Sequence, residues 1–141
     1  MRLEVGGTLG PYELQRRLGG GNFAEVWLAE IANDLGFKQQ AALKILKSAT
    51  ARNVRDLLRE ACLCGELSDP HIVDVRGLLE LDGGFVLAME YLDGGTLDDL
   101  IDSLALSGHP MPLAAVLEAG QAIARGLDGA WNGAGQDGSP L

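Results

Sequence analysis

The chain has 141 residues, 47% of them hydrophobic and 22% charged, which suffices for one globular domain with its own core. Its formal net charge of −9 is uneven: residues 1–76 hold 10 basic and 10 acidic side chains, whereas residues 77–141 hold only Arg125 against 10 acids. The clustered Lys and Arg that a nucleic-acid surface requires are missing, and no run approaches the roughly 20 apolar residues of a membrane helix.

The N-terminus, Met1-Arg2-Leu3-Glu4-Val5-Gly6-Gly7, lacks the apolar run of a signal peptide, so a cytoplasmic chain is expected. From Tyr12 the pattern reads as three strands, Tyr12 to Leu18, Ala24 to Ile31 and Gln40 to Leu46, separated by a glycine cluster and by Asn33-Asp34-Leu35-Gly36. Ser48 or Thr50 then caps a helix running to about Leu67, with Val54, Leu57, Leu58, Ala61 and Cys64 at helical spacing. Cys62 and Cys64 fall in that helix, two residues apart, where a disulfide is geometrically unfavourable; both are expected as packing residues. Two more strands, His71 to Leu79 and Phe85 to Met89, flank the turn Leu81-Asp82-Gly83-Gly84. Thr96-Leu97-Asp98-Asp99 opens a short helix to about Leu104, and a longer helix spans Pro112 to Trp131. The segment from Asn132 to Leu141 has the composition of a loop. The expected fold class is α+β: a five-stranded antiparallel sheet with one helix, followed by two helices.

Three features carry chemistry. Leu18-Gly19-Gly20-Gly21-Asn22-Phe23-Ala24-Glu25-Val26 places glycines between two strands, where backbone N–H groups can approach phosphate oxygens without a Cβ in the way. A dinucleotide fold would need a helix directly after the glycines and a P-loop would need Gly-Lys-Ser/Thr; neither pattern is present. In Ala41-Ala42-Leu43-Lys44-Ile45, alternation puts Lys44 on one face with Ala42 and Leu46, an apolar setting in which an ammonium needs an anionic partner. Glu60, three residues after Leu57 and four before Cys64, belongs to the apolar stripe of its helix and is a fitting partner for Lys44. The alternative is a surface pair between Glu60 and Arg55 or Arg59.

Taken in order, a glycine-rich loop, a Val-Ala-Ile-Lys-like strand and a helical glutamate resemble the protein kinase family, of the bacterial serine/threonine type. The resemblance runs from about Tyr12 to the end. It implies a small lobe and hinge over residues 12–92, preceded by an extension at 1–11, and part of a large lobe over 93–141. It further implies ATP as ligand: Gly19, Gly20, Gly21 and Val26 covering the nucleotide, Lys44 holding its α- and β-phosphates, and Glu60 orienting Lys44. Met89-Glu90-Tyr91-Leu92 looks like the family's gatekeeper and hinge, with Glu90 and Leu92 offering backbone groups to adenine while Leu18, Val26 and Ala42 pack on its ring. Ser68-Asp69-Pro70-His71-Ile72-Val73 resembles the segment that precedes the family's fourth strand. Ala24 stands where the family's third loop glycine is usual.

The family's His-Arg-Asp catalytic loop and Asp-Phe-Gly metal site are both missing from the 141 residues. Magnesium, expected beside ATP in the family, therefore finds no ligand set here, and no metal site is assigned. The chain is expected to bind ATP without transferring phosphate. The alternative is a non-catalytic nucleotide-binding or interaction module. On either reading the helix from Pro112 carries an apolar stripe that a protein partner could cover.

Overall fold

A computed structural model describes residues 3–32, 36–65 and 67–132. The expected turn at 33–36, apart from Gly36, and the expected tail beyond Asn132 lie outside the described residues. In chain order the elements are β1 (Thr8–Leu9), β2 (Tyr12–Gly20), β3 (Ala24–Ala32), β4 (Lys38–Leu46), α1 (Ala51–Gly65), β5 (Val75–Leu81), β6 (Gly84–Met89), α2 (Leu97–Ser107) and α3 (Leu113–Asn132). The strands form one antiparallel sheet in the order β1-β2-β3-β4-β6-β5. Five are the expected strands. The sixth, β1, has only two residues, too few for a periodic signal, yet its Leu9 is fully buried.

Alternation divides the sheet into two faces. Trp27, Ala29, Ala41, Leu43, Ile45, Val86 and Ala88 point to one side and form the core together with Leu9 and Leu14. Among the described residues, no helix covers that side; the sheet curls over it instead. Gly10, in the β1–β2 turn, donates its N–H to Asp82 Oδ2 at 3.3 Å, and a Cβ at Gly10 would sit 2.8 Å from Leu81, so the two edges of the sheet meet at one corner. The opposite face carries Val26, Leu28, Ala42, Lys44 and Leu87. Helix α1 packs beside this face through Leu57, its one buried residue.

Local chemistry sets the boundaries. Thr50 Oγ1 accepts the Asn53 N–H at 3.2 Å and starts α1. Asp82 and Gly83, with φ of 49° and 75°, form a two-residue hairpin turn of the mirror-image type that matches strand twist. The strand expected from His71 begins only at Val75. Asp69 accepts the His71 N–H at 2.8 Å, and its carbonyl accepts the Ile72 N–H at 3.1 Å, which folds 69–72 into a turn. The same His71 N–H holds the Asp69 carboxyl below its usual range. Helix α2 opens with a reciprocal cap: Thr96 Oγ1 accepts the Asp99 N–H and Asp99 Oδ2 accepts the Thr96 N–H. It runs past Leu104 to Gly108, whose φ of 70° supplies the left-handed stop.

Helix α3 meets the rest of the chain through glycines. Gly126, buried, lies against His71 and Ile72, and Gly129 lies against Asp69. Most of its apolar stripe, Leu113, Leu117, Ile123, Leu127 and Trp131, is exposed, as are Leu97, Leu100 and Leu106 of α2. The packing role expected for the cysteines does not hold for Cys62, which is exposed; Cys64 is half-buried. Residues two apart on a helix diverge by about half a turn, so the two cannot share one environment. Among the described residues, no helix is long and apolar enough to cross a membrane.

Candidate functional site

The site is built where the β2–β3 hairpin overhangs β4 and α1. The Gly21 N–H donates to the Ala24 carbonyl at 3.0 Å and closes the hairpin tip. A Cβ at Gly20 would fall 2.9 Å from the Ala24 carbonyl oxygen and 3.1 Å from Glu25 Cα, so the tight return requires glycine. At Gly19 and Gly21 the same construction meets open space. Nothing crowds the space beside these two glycines, although the Gly21 N–H is itself taken by the Ala24 carbonyl.

Beneath the hairpin the register lines up the expected residues. Gly19 lies opposite Val26, Val26 opposite Lys44, and Lys44 opposite Leu87; in the next row Leu28 faces Ala42 and Ala42 faces Met89. Cross-strand partners share a face, so these rows form one surface. Leu18 sits at a register shift between Arg17 and Gly19.

Lys44 Nζ lies 2.7 Å from Glu60 Oε1 and 2.6 Å from Oε2. The ammonium is thus gripped by both carboxylate oxygens, and the surface alternative with Arg55 or Arg59 is not what forms. The two side chains retain 29% and 38% of their exposure. Leu57, less than one turn earlier, anchors the helix so that Glu60 reaches the strand.

The pair opens onto a cleft of about 410 Å³. Of the residues selected from sequence, Gly20, Gly21, Val26, Lys44 and Glu60 line it. Leu18, Gly19, Ala42, Met89, Glu90 and Leu92 do not, although the register sets Gly19, Ala42 and Met89 on the adjoining sheet surface. Glu90 is tied to the segment before β5: its N–H donates to the Asp74 carbonyl at 2.9 Å, and its Oε1 accepts the Asp74 N–H at 2.8 Å. Leu92 is exposed. Sequence reasoning missed Phe23 at the hairpin tip, Ala24 and Leu46 on the strands, and Arg52, Asn53, Asp56 and Leu57 on α1, as lining residues. For the four on α1 the signal was available: 52, 53, 56, 57 and 60 recur at one helical period and share the face chosen for Glu60. Among the described residues, no group of three or more His, Cys, Asp or Glu side chains is placed to hold a metal ion.

The family model described as protein tyrosine and serine/threonine kinase matches residues 12–128. The chain belongs to the protein kinase family. Its relatives include the tyrosine-protein kinase MasK of Myxococcus xanthus, 34% identical over 138 residues, which are 94% of this chain and 21% of MasK. The serine/threonine-protein kinase PknD of Mycobacterium tuberculosis is 33% identical over 130 residues, 90% of this chain and 18% of PknD. PrkC of Bacillus subtilis, also a serine/threonine-protein kinase, is 37% identical over 95 residues, 65% of this chain and 14% of PrkC. Among solved structures, the Mycobacterium tuberculosis PknI kinase domain superposes with a TM-score of 0.70 at 31% identity, covering 92% of this chain and 51% of that domain. This kinase chain therefore spans about half of a solved kinase domain and about a fifth of the relatives MasK and PknD. The sheet with α1 has the architecture of the kinase small lobe, and α2 and α3 belong to part of the large one.

Proposed function

We propose that this chain binds ATP between the glycine hairpin and the sheet, with Lys44 holding the α- and β-phosphates and Glu60 orienting Lys44. One observation carries the reading. A lysine on an apolar sheet face is held by both oxygens of a helical carboxylate in a cleft shared with a glycine turn that leaves open space where side chains would otherwise stand. The N–H of Glu90 is committed to Asp74, so its carbonyl is the group left to accept from adenine, with the backbone of Leu92 beside it. Leu18, Gly19, Val26, Ala42 and Met89 supply the apolar surface for the ring. On this reading residues 12–92 form the nucleotide-binding lobe and hinge, 93–141 begin the second lobe, and 1–11 precede both.

The residues fit the nucleotide better than its metal. The open space at the glycine turn and the paired lysine suit a phosphate chain, whereas no carboxylate group of the described residues gathers for magnesium. A polypeptide limited to these 141 residues, without His-Arg-Asp or Asp-Phe-Gly, is proposed to bind ATP and not to transfer its phosphate, since that transfer depends on metal-assisted charge stabilisation. The whole protein is proposed to phosphorylate serine or threonine, a reading supported by the kinship with PknD and PrkC.

A second reading, a non-catalytic interaction module, draws on the exposed Leu113, Leu117, Leu127 and Trp131 of α3, which a protein partner could cover. Thermal unfolding with ATP, with and without magnesium, separates the two. Binding at about 100 times Kd stabilises the folded chain by about 2.7 kcal/mol, a shift of several degrees. That shift is expected for the unaltered chain and is expected to vanish in Lys44→Ala. No shift for the unaltered chain would favour the interaction reading.

A further inference from the structure

Four ionisable side chains line the cleft: Lys44, Arg52, Asp56 and Glu60. Two cations against two carboxylates leave it formally neutral, and the charge of Lys44 is already matched by both oxygens of Glu60. A triphosphate brings several negative charges, and a neutral cleft attracts it weakly unless one cation turns toward it.

Arg52 is placed to be that cation. It lies in the first turn of α1, on the face that confronts Gly20 and Gly21 across the cleft. The helix start is fixed: Thr50 Oγ1 accepts the Asn53 N–H, and Asn53 Nδ2 donates to the Ser48 carbonyl at 3.0 Å. The Arg52 backbone is therefore set while its side chain keeps its reach. Its pairing is loose, with Nε 3.9 Å from Asp56 Oδ2, and the two side chains are 89% and 70% exposed. Exposed i,i+4 pairs contribute little to stability, so exchanging Asp56 for a phosphate costs little. The guanidinium fork also suits phosphate oxygens better than an ammonium does.

We infer that Arg52 is a second phosphate-binding residue, which leaves Asp56 for the terminal phosphate of a nucleoside triphosphate and so makes the cleft prefer triphosphate over monophosphate. This rests on the proposed ATP site and adds a determinant of phosphate number to it. Asp56 then acts as a competitor that holds Arg52 when the site is empty.

The test is calorimetric titration of ATP, ADP and AMP into the chain without magnesium, for the unaltered protein, Arg52→Ala and Asp56→Asn, each checked for folding by thermal melt. Arg52→Ala is expected to weaken ATP roughly five- to tenfold and AMP by less than about twofold, with ADP between. Asp56→Asn is expected to tighten ATP by about two- to threefold. Equal weakening of ATP and AMP, or no weakening of either, in Arg52→Ala while the unaltered chain still binds ATP would overturn the inference alone, as would looser ATP binding in Asp56→Asn. Failure of the unaltered chain to bind any of the three would remove the nucleotide reading and this inference with it.

Discussion

Breaking the Lys44–Glu60 pair from either side should cost more than its exposure suggests, and removing both partners should cost less than the sum. Exposed ion pairs contribute about 0–1 kcal/mol, whereas stripping one partner from a buried pair costs about 3–5 kcal/mol. With 29% and 38% of their exposure retained, Lys44 and Glu60 stand between these limits. Discounting for solvent screening leaves a coupling of about 1–2 kcal/mol. A chain of this size should show a urea slope of about 1.5 kcal/mol per molar, so Glu60→Gln or Lys44→Met should each lower the unfolding midpoint by about 1 M. The double variant, in which no charge is stranded, should lose no more than the worse single variant. Urea unfolding of all four proteins closes the cycle, and repetition at about 1 M salt, where the Debye length is about 3 Å, should shrink the coupling. Losses that add within about 0.3 kcal/mol would refute the claim that these two groups hold one another.

Three further outcomes follow from other parts of the molecule. In α3, Gly120→Ala meets nothing within 4 Å and should stabilise by about 0.5–1 kcal/mol through helix propensity, whereas Gly129→Ala brings a Cβ to 2.7 Å from Asp69 Oδ2 and should lower the melting temperature. Asp69 cannot simply swing aside, because its other oxygen is held by the His71 N–H at 2.8 Å; equal melting shifts for the two variants would contradict the docking of α3. Asp99 is held below its ordinary 3.8 by hydrogen bonds from Thr96, so the cap of α2 contributes fully above that value and is lost as pH falls through and below it. Protection of amides 97–107, corrected for the intrinsic exchange rate at each pH, should fall over that acid range, and Asp99→Asn should flatten the dependence; an unchanged profile would count against the cap. At neutral pH, α2 and α3, with no buried side chain in α2 and only Gly126 buried in α3, should exchange faster than β3, β4 and β6, and equal protection would contradict this.

Much of this arrangement was legible because the physics that signals it is local. Period-two alternation gave the central strands, and Thr96-Leu97-Asp98-Asp99 announced its own cap. The inward placement of Glu60 followed from its spacing to Leu57 and Cys64, and the pair with Lys44 followed from two charges each needing a partner. What stayed hidden depends on contacts remote in sequence. Strand β1 is too short to show a period and is made by pairing with β2 and by the corner where Gly10 meets Leu81 and Asp82. The segment 71–74 reads as strand by composition, but the Asp69 side chain turns it first. Arg52 and Asp56 share the helical face of Glu60, which the spacing shows, but that the glycine hairpin lines the same cleft depends on contacts far away in the chain. Cys62 shows the converse: it stands about half a turn around the helix from Cys64, so the spacing that puts Cys64 on the apolar stripe already turns Cys62 outward, against the packing role expected for it.

The most direct test of the site is an ATP titration of the isotopically labelled chain followed by two-dimensional amide NMR. Shifts should concentrate at Gly19 to Gly21, Val26, Lys44, Glu60 and the 89–92 segment, and should disappear in Lys44→Ala. Shifts confined to α2, α3 or the β5–β6 turn, or a pattern unaltered by Lys44→Ala, would contradict a nucleotide held between the glycine hairpin and the lysine–glutamate pair.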